Sequence, residues 1–411
     1  MNRNGFRILL TIFVGIYLFA YSGAISNSFA LISKTNTQNN ISRGVWVTVF
    51  SEKKVMYSRE GVLSLIESCK KAGINEIYLQ LYRAGQAYYD SQLSDRIKYE
   101  EIVKEAGGID TIGLLLREAK KNDIKVFAWI NMLSLAQNKK APILAKYGNS
   151  VLTRDQYLRA SIRTDEANES DKYYLRDDQL FLEPGDPRVA EYLVSIAGEI
   201  IDRYPLMNGI HLDYVRYPHP VPFVPGSRFN KYGLTYGYGE FNIKRFKEAT
   251  KLDPLSARDN EDISYKWDDW KREQVTNLVE KISKHIKGKS KDLLVSCAVM
   301  PSPERAYTIA FQDWPLWLDK EIVDYVVLMN YTRDDRLAEA TVKSALAHNG
   351  KGKIFVGIGA FLLKNDPEMF LRQYGIIASL NPDGIVLFSY DDVPDAIIKN
   401  INNNSYTLKY H

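Results

Sequence analysis

Short apolar, β-rich runs recur along the chain and predict eight strands. Most of them are continuously hydrophobic, which is typical of strands covered on both faces. Amphipathic helical patterns lie between them, such as "REGVLSLIESCKKAG" at 59–73. This alternation of strand and helix predicts a parallel sheet. The runs cover residues 44–50, 76–82, 125–132, 209–215, 293–300, 324–331, 353–359 and 384–391.

The number of strand–helix units indicates the fold class. Eight units match an α/β protein of the (β/α)8 type, a TIM barrel, lengthened by insertions. We expect long loop insertions after strands 3 and 4, at about 133–186 and 217–265, and a single barrel domain over 43–400. A doubly wound open sheet is the alternative. A doubly wound sheet would be expected to carry a glycine-rich phosphate-binding turn after an early strand, and the sequence contains no GxGxxG or P-loop motif.

The first thirty residues resemble a leader. Two arginines precede an apolar run from Ile8 to about Tyr21, and small residues follow it. This pattern is typical of a secretory signal peptide over 1–30, cleaved after Ala24 or Ala30. An uncleaved N-terminal membrane anchor is the alternative. We therefore expect an extracytoplasmic protein, periplasmic or secreted, with no other association with a membrane.

Composition narrows the class of partner. The formal net charge of +4, from 54 Lys and Arg against 50 Asp and Glu, is too balanced to favour nucleic acid. Only Cys69 and Cys297 are present, and two isolated cysteines form neither a metal site nor a disulfide framework. Aromatic residues make up 12% of the chain, which fits either a large core or a cleft whose rings pack on sugars.

The fourth strand, "GIHLDYVRYP" at 209–218, carries polar residues into an apolar run. Side chains alternate along a strand, so His211 and Asp213 share one face. That face should point to the barrel axis, with Asp213 near the C-terminal mouth. Lost hydration there raises the pKa of a carboxyl group unless donors compensate. Arg216 is placed to compensate or to bind substrate. A buried Asp213–Arg216 ion pair, or a capping role for Asp213, is the structural alternative.

Other strands also end in polar or aromatic side chains. Together these ends would bring carboxylates, amide donors and rings to one mouth. Glycoside hydrolysis needs an acid to protonate the leaving oxygen and a group that stabilises an oxocarbenium-like centre. We therefore predict a glycosidase with Asp213 as general acid. The further candidates are Arg83, Trp129, Asn131, His211, Asn330, Tyr331 and Tyr390 for substrate binding and Asp391 as a second carboxylate.

Two other functions fit the same residues. His211 and Asp213 have the spacing of an H-x-D metal-ligand pair, but zinc-dependent hydrolases and deacetylases recruit more histidines. A metal-dependent polysaccharide hydrolase or deacetylase is therefore the weaker alternative, and we expect no metal and no other cofactor. A barrel that binds a polysaccharide without cutting it is the other alternative.

Several segments, in order along the chain, resemble one known family, the bacterial glycosyl-hydrolase-like family 10. These are extracytoplasmic TIM-barrel proteins, some of which cleave glycan strands of the cell wall. The resemblance runs from about Arg43 to Asp392 and implies a glycosidase acting on a bacterial cell-wall or extracellular polysaccharide. The segments are "RGVWVTVF", "YLQLYRAGQAYYDS", "VFAWINM", "LEPGDPRVAEYL", "GIHLDYVRYP", "FQDWPLWLDKEIVDYVVLMNYT" and "GIVLFSYDD".

The resemblance assigns roles to further positions. It implies that Asp213 is a catalytic carboxylate and that Arg216 and Tyr217, in the same motif, bind substrate. Its QDW motif adds Trp314 as a further substrate-binding residue. Glu183 stands where the family often has Asp, in "LDPG". Glu183 is therefore a candidate second carboxylate whose direct contact with substrate is in question.

The resemblance leaves two mechanisms open. Strand 7 ends in "GIGAF", without the glutamate that commonly accompanies one on strand 4. In one scheme, Asp391 or Glu183 is the base or nucleophile. In the other, a 2-acetamido group of the substrate is the internal nucleophile. The segment "VLMNYT" is similar to the Met-x-Tyr segment of family 18 chitinases, where a tyrosine holds that group. We favour the second scheme, with Tyr331 in that role and N-acetylated amino sugars in the substrate.

Overall fold

Eight parallel strands form a closed barrel in a computed structural model that describes residues 41–161, 179–218 and 234–401. Each strand pairs with the next, and the last pairs with the first. The predicted barrel is therefore confirmed. The strands are β1 (Ser42–Val47), β2 (Glu76–Arg83), β3 (Lys125–Asn131), β4 (Gly209–Asp213), β5 (Leu294–Val299), β6 (Tyr325–Asn330), β7 (Lys353–Gly359) and β8 (Gly384–Phe388).

Helices follow the strands, and local chemistry sets their limits. Ser58 caps the N-terminus of α1 by accepting from the N–H of Gly61, and Gly73 ends it with a φ of 62°. Pro187 occupies the first turn of α5, where its missing N–H has no partner to lose. The helices are α1 (Arg59–Ala72), α2 (Ile97–Glu105), α3 (Thr111–Lys121), α4 (Pro142–Tyr147), α5 (Pro187–Arg203), α6 (Glu240–Thr250), α7 (Glu261–Lys289), α8 (Pro303–Arg305), α9 (Trp314–Asp319), α10 (Asp335–Leu346), α11 (Ala360–Leu363), α12 (Pro367–Ser379) and α13 (Asp395–Asn400).

The alternation of side chains along the strands separates two cores. One set packs against the helices. The other fills the barrel, and His211 joins it with ring centroids 5.7 Å from Trp46 and 4.7 Å from Tyr78. Because rings fill the interior, a site is expected only where the strands end. The interior set comprises Trp46, Tyr78, Phe127, Trp129, Tyr325, Val327, Phe355 and Val386.

Both predicted insertions leave the C-terminal ends of barrel strands. The first contains α4 and an antiparallel pair of short strands, Ser134–Ala136 and Leu180–Phe181. The second contains α6, and Tyr238, Phe246 and Trp267 form a small apolar cluster there. Parts of both insertions, 162–178 and 219–233, lie outside the described residues.

The predicted signal peptide at 1–30 also lies outside the described residues, so it stays a prediction. Within the three described ranges, every helix is too short or too polar to cross a membrane.

Candidate active site

Asp213 is the last residue of β4 and points into the barrel mouth with 8% of its surface exposed. Its Oδ1 accepts a hydrogen bond from the backbone N–H of Tyr214 at 2.7 Å. Its Oδ2 accepts from the indole Nε1–H of Trp129 on the neighbouring strand at 3.1 Å. Tyr214 ends the strand with a φ of 56°, which is uncommon for a residue with a side chain. Two donors and a sharp turn therefore fix the carboxyl group.

The carboxyl group of Asp213 holds its proton more tightly than a solvated aspartate does. Burial raises its pKa above the usual 3.8. The N–H of Tyr214, the positive charge of Arg216 and the N–H of Trp129 oppose this rise without cancelling it. No ion pair joins Asp213 to Arg216 in the described part of the chain, so the structural alternative of a direct pair is not observed. A raised pKa is the property that a general acid needs.

Aromatic rings border the carboxyl group of Asp213. Tyr331 stacks on Phe388 with centroids 5.4 Å apart and an angle of 20°, and Phe361 meets both rings edge-on. Trp129 meets Phe388 edge-on, with ring centroids 6.0 Å apart. Burial raises the pKa of Tyr331, and the charge of Asp213 raises it further. The ring cluster and the acid therefore belong to one site.

Asn131 contributes an amide to the same mouth. It is the register partner of Asp213 on the adjoining strand. Its Oδ1 accepts from Nε2 of Gln80 at 3.1 Å, and Oε1 of Gln80 accepts from the N–H of Val49 at 3.2 Å. This chain fixes the Asn131 amide and leaves its Nδ2–H groups without a partner in the described ranges. No local sequence pattern indicates that Gln80 orients Asn131, so this role was missed.

Two arginines lie at the ends of strands, as predicted. Arg83 ends β2, and its guanidinium carbon lies 4.5 Å from the ring centroid of Phe50, which is 60% exposed. Arg216 follows β4 and lies 4.8 Å from the ring centroid of Tyr214. Both side chains are half-buried.

His211 faces the barrel axis as predicted but lies one layer below Asp213. It has no exposed surface, and its Nδ1 is 2.9 Å from Oγ of Ser296. Burial lowers the pKa of His211 to about 3, so the imidazole is neutral at physiological pH. This placement corrects the expectation that His211 contacts substrate.

Three other predicted binding residues lie away from the mouth. Asn330 lies on the same face of β6 as Val326 and Leu328, which pack against the helices. Its Nδ2 donates to the carbonyl of Ala338. Trp314 is fully buried and donates to the carbonyl of Met300. Tyr390 is buried with its hydroxyl 3.1 Å from Oγ of Ser68 in α1. These placements correct the expectation that the three side chains line the mouth.

Glu183 and Tyr217 form a buried polar cluster between the insertions. Oε1 of Glu183 accepts from the Tyr217 hydroxyl at 2.7 Å and the N–H of Gly185, and Oε2 accepts from Oγ1 of Thr153 at 2.8 Å and the N–H of Gly239. Burial raises the pKa of Glu183 to about 7 against these four donors. With 1% of its surface exposed, Glu183 has the environment of a structural carboxylate.

Asp391 is held in the turn that follows β8. Its Oδ1 accepts from Oγ of Ser51 at 2.7 Å and from the N–H of Lys53 at 3.2 Å. The other oxygen makes no hydrogen bond among the described residues. Asp391 is half-buried, and it stays a candidate for the second carboxylate.

Phe388 and Phe361 are site residues that the sequence interpretation missed. Phe388 is two residues beyond the inward-facing Val386, so the same alternation could have placed it in the mouth. Phe361 follows "GIGA" after β7 and is 41% exposed, and no sequence signal indicates that its ring meets Tyr331.

The alternative function, a metal-dependent hydrolase or deacetylase, would need several potential metal ligands close together. Across the described ranges, no three His, Cys, Asp or Glu side chains are arranged to hold a metal ion.

The closed ring of eight parallel strands defines the fold class of the protein, the (β/α)8 or TIM barrel. Solved structures with this fold include the catalytic domain of β-amylase from Paenibacillus polymyxa, with a TM-score of 0.53, 12% identity and coverage of 90% of this chain and 97% of that one. The β-galactosidase from Rahnella sp. R3 has a TM-score of 0.54 and 14% identity, covering 87% of this chain and 51% of that one. At such identities the similarity shows the fold alone.

The chain belongs to the family described as glycosyl hydrolase-like 10, whose model matches residues 41–359. The resemblance drawn from the sequence is therefore confirmed, although the model stops at the end of β7 rather than near Asp392. The glycosyl hydrolase DigH of Escherichia coli strain K12 is 23% identical over 323 residues, which are 70% of this chain and 65% of DigH. YngK of Bacillus subtilis strain 168, also called a glycosyl hydrolase, is 21% identical over 411 residues, 89% of this chain and 70% of YngK. The chain thus spans slightly less than two thirds of the length of DigH.

Proposed function

We propose that the protein is an extracytoplasmic glycoside hydrolase that cleaves a bacterial cell-wall or extracellular polysaccharide containing N-acetylated amino sugars. The observation that carries this proposal is the buried Asp213 carboxyl, with its raised pKa, beside a cluster of rings at the barrel mouth. Flat rings pack on the apolar faces of pyranose sugars, and a carboxyl group that keeps its proton can donate it to a glycosidic oxygen.

The two donors to Asp213 suit a general acid. As the glycosidic bond breaks, the proton moves to the leaving oxygen and Asp213 becomes a carboxylate. The N–H groups of Tyr214 and Trp129 already point at its oxygens, so they stabilise that charge without rearrangement. These contacts favour the transition state over the protonated ground state.

The nucleophile in this proposal is the acetamido oxygen of the substrate. Glu183 is enclosed by four donors, which leaves it a poor candidate for attack on a sugar. The hydroxyl of Tyr331 lies near Asp213 and has no hydrogen-bond partner among the described residues, so it can donate to the acetamido carbonyl. The acetamido oxygen then bonds to the anomeric carbon as the leaving oxygen takes the proton of Asp213. Water later attacks this carbon, the bond to the acetamido oxygen breaks, and the Asp213 carboxylate takes the proton from the water.

Hydrolysis of a defined glycan tests the proposal. The purified chain is incubated with peptide-free peptidoglycan strands, with a polymer of N-acetylglucosamine and with the same polymer after deacetylation. We expect new reducing ends from an acetylated glycan and none from the deacetylated polymer, which lacks the internal nucleophile. Retention of glycan without new ends would instead support the polysaccharide-binding alternative.

Trp129→Phe is expected to move the pH profile of hydrolysis. The substitution keeps a ring but removes the N–H that stabilises the ionised form of Asp213, so the pKa of Asp213 rises. A general acid is active while protonated, and the alkaline limb of kcat/KM should therefore shift to higher pH. Lost orientation of the carboxyl should cost about tenfold or less in kcat.

The matched control for this prediction is Trp314→Phe, which removes a buried indole N–H that donates to Met300. It should lower thermal stability and leave the alkaline limb in place. A limb that stays fixed or moves to lower pH in Trp129→Phe would show that the indole does not act on the acid.

A further inference from the structure

We propose that Arg216 binds a carboxylate carried by the glycan, so that the substrate is an anionic polysaccharide. This inference rests on the proposed function and names the substrate class of the same mouth. Its ligand is a sugar with a carboxylate substituent, such as a uronic acid or an amino sugar with a lactyl ether.

The guanidinium of Arg216 uses little of its donor capacity within the protein. It has five N–H groups, and among the described residues it makes one hydrogen bond, from Nη1 to the carbonyl of Tyr217 at 3.3 Å. Two rings cover it, since its guanidinium carbon lies 4.8 Å from the centroid of Tyr214 and 5.9 Å from that of Phe181. Ring contacts engage the face of a guanidinium and leave its in-plane N–H groups available for an anion.

Two other arginines of the described chain pair with acids. Arg188 lies 2.6 Å from an oxygen of Asp186, and Arg96 lies 2.6 Å from an oxygen of Asp90. Asp213 is the nearest acid to Arg216 along the chain, but its oxygens accept from Trp129 and Tyr214, and Arg216 forms no ion pair within the described ranges. A partly desolvated cation without a bonded anion is costly, and a bound carboxylate would offset that cost.

The location of Arg216 ties the bound carboxylate to the reaction. The residue follows Asp213 by three positions, and its charge lowers the pKa of the Asp213 carboxyl. Phe181, which covers the guanidinium, comes from the first insertion. A carboxylate bound here would therefore belong to a sugar close to the scissile bond.

Arg83, at the C-terminal end of β2, is a second positive charge at the barrel mouth. Its guanidinium lies over the exposed ring of Phe50 and makes no ion pair in the described part of the chain. An arginine and a ring together present a charge for a carboxylate and a face for a pyranose. A second acidic sugar of the same strand fits this position.

The test compares one glycan with and without its carboxylates. Peptide-free peptidoglycan strands and the same strands with their carboxyl groups converted to amides are titrated into the full chain carrying Asp213→Asn. We expect amidation to weaken binding at least tenfold, as loss of a bidentate charged contact would. Adding Arg216→Gln should reduce that difference to less than twofold. Adding Arg117→Gln, a change at an exposed position of α3, should preserve it.

The outcomes separate this inference from the proposed function. Equal binding of both glycans before Arg216 is changed, or a preference that survives Arg216→Gln, would overturn the carboxylate site even if the unmodified chain cleaves glycans. A preference that depends on Arg216, in a chain that releases no reducing ends from any glycan, would support the carboxylate site and refute the hydrolase.

Discussion

Asp213→Asn should lower kcat/KM for glycan hydrolysis by about 10²–10⁴-fold, the contribution typical of a general acid. An amide cannot release a proton to the leaving oxygen, so bond cleavage would have to expel a poor leaving group unaided. Release of reducing ends from the glycan that the unmodified chain cleaves fastest measures the effect. Turnover close to that of the unmodified chain would refute the assignment of Asp213 as the acid.

The structure indicates that Asp213→Asn folds and binds glycan. The amide oxygen can accept from the N–H of Tyr214, while the amide nitrogen faces the indole N–H of Trp129 and leaves it unpaired. One unpaired buried donor costs about 1–3 kcal/mol, which a barrel of this size tolerates. Retained glycan binding and a thermal melt check this point.

The matched control is Asp123→Asn, the same chemical change at the opposite end of the barrel. Asp123 is exposed before β3 and has a φ of 53°, a conformation that asparagine adopts readily. The activity should stay within about twofold of that of the unmodified chain, and the free energy of unfolding should change by less than about 0.5 kcal/mol.

Glu183→Gln should lower the free energy of unfolding by about 2–4 kcal/mol. Four donors point at the two oxygens of Glu183, and glutamine replaces one oxygen with an NH₂ group that faces donors instead of accepting from them. Each hydroxyl accepts one hydrogen bond already, the Thr153 oxygen from the N–H of Gly237 and the Tyr217 oxygen from Nδ2 of Asn242. Its second lone pair can accept from the new NH₂ group, but the hydroxyl proton then loses its glutamate acceptor. Urea unfolding followed by circular dichroism gives the change.

The control for Glu183→Gln is Glu240→Gln on α6. Glu240 is exposed and pairs with Arg154, so its loss should cost less than about 0.5 kcal/mol because exposed ion pairs contribute little. If Glu183→Gln left stability unchanged and removed hydrolysis, Glu183 would be a catalytic carboxylate and the structural interpretation would fail.

The fold could be predicted because it depends on periodicity that each segment carries by itself. Continuous apolar runs mark strands covered on both faces, and caps such as Ser58 and Gly73 mark helix ends. Strand ends were the main error, since β1 ends at Val47 and β8 at Phe388, three residues before the predicted positions 50 and 391. β4 was predicted to end at residue 215 and ends at Asp213. The left-handed turn at Tyr214 ends the strand early, and tyrosine carries no sequence signal for that conformation.

The face that a site residue occupies could be predicted, but its depth could not. Period-two alternation placed both His211 and Asp213 toward the axis, yet only Asp213 reaches the mouth because the rings of Trp46 and Tyr78 pack against His211. Asn330 was assigned to the mouth from its position near a strand end, although its parity sends it toward α10.

Contacts between segments far apart in the chain could not be predicted from the sequence. The carboxylate of Glu183 joins Thr153 of the first insertion to Tyr217 and Gly239 of the second. Such a cluster depends on how two long loops fold over each other, which no local pattern encodes. For the same reason a catalytic carboxylate and a structural one look alike until the donors around each are known.

The titration of the Asp213 carboxyl in the free protein tests the central claim most directly. Carboxyl carbon resonances of the ¹³C-labelled chain are followed against pH, and the signal missing from Asp213→Asn identifies the residue. The structure predicts a pKa above 3.8, because the cost of burying the charge exceeds the help from Tyr214, Arg216 and Trp129. A pKa at or below 3.8 would mean that the group is a carboxylate throughout the working range and cannot supply the proton.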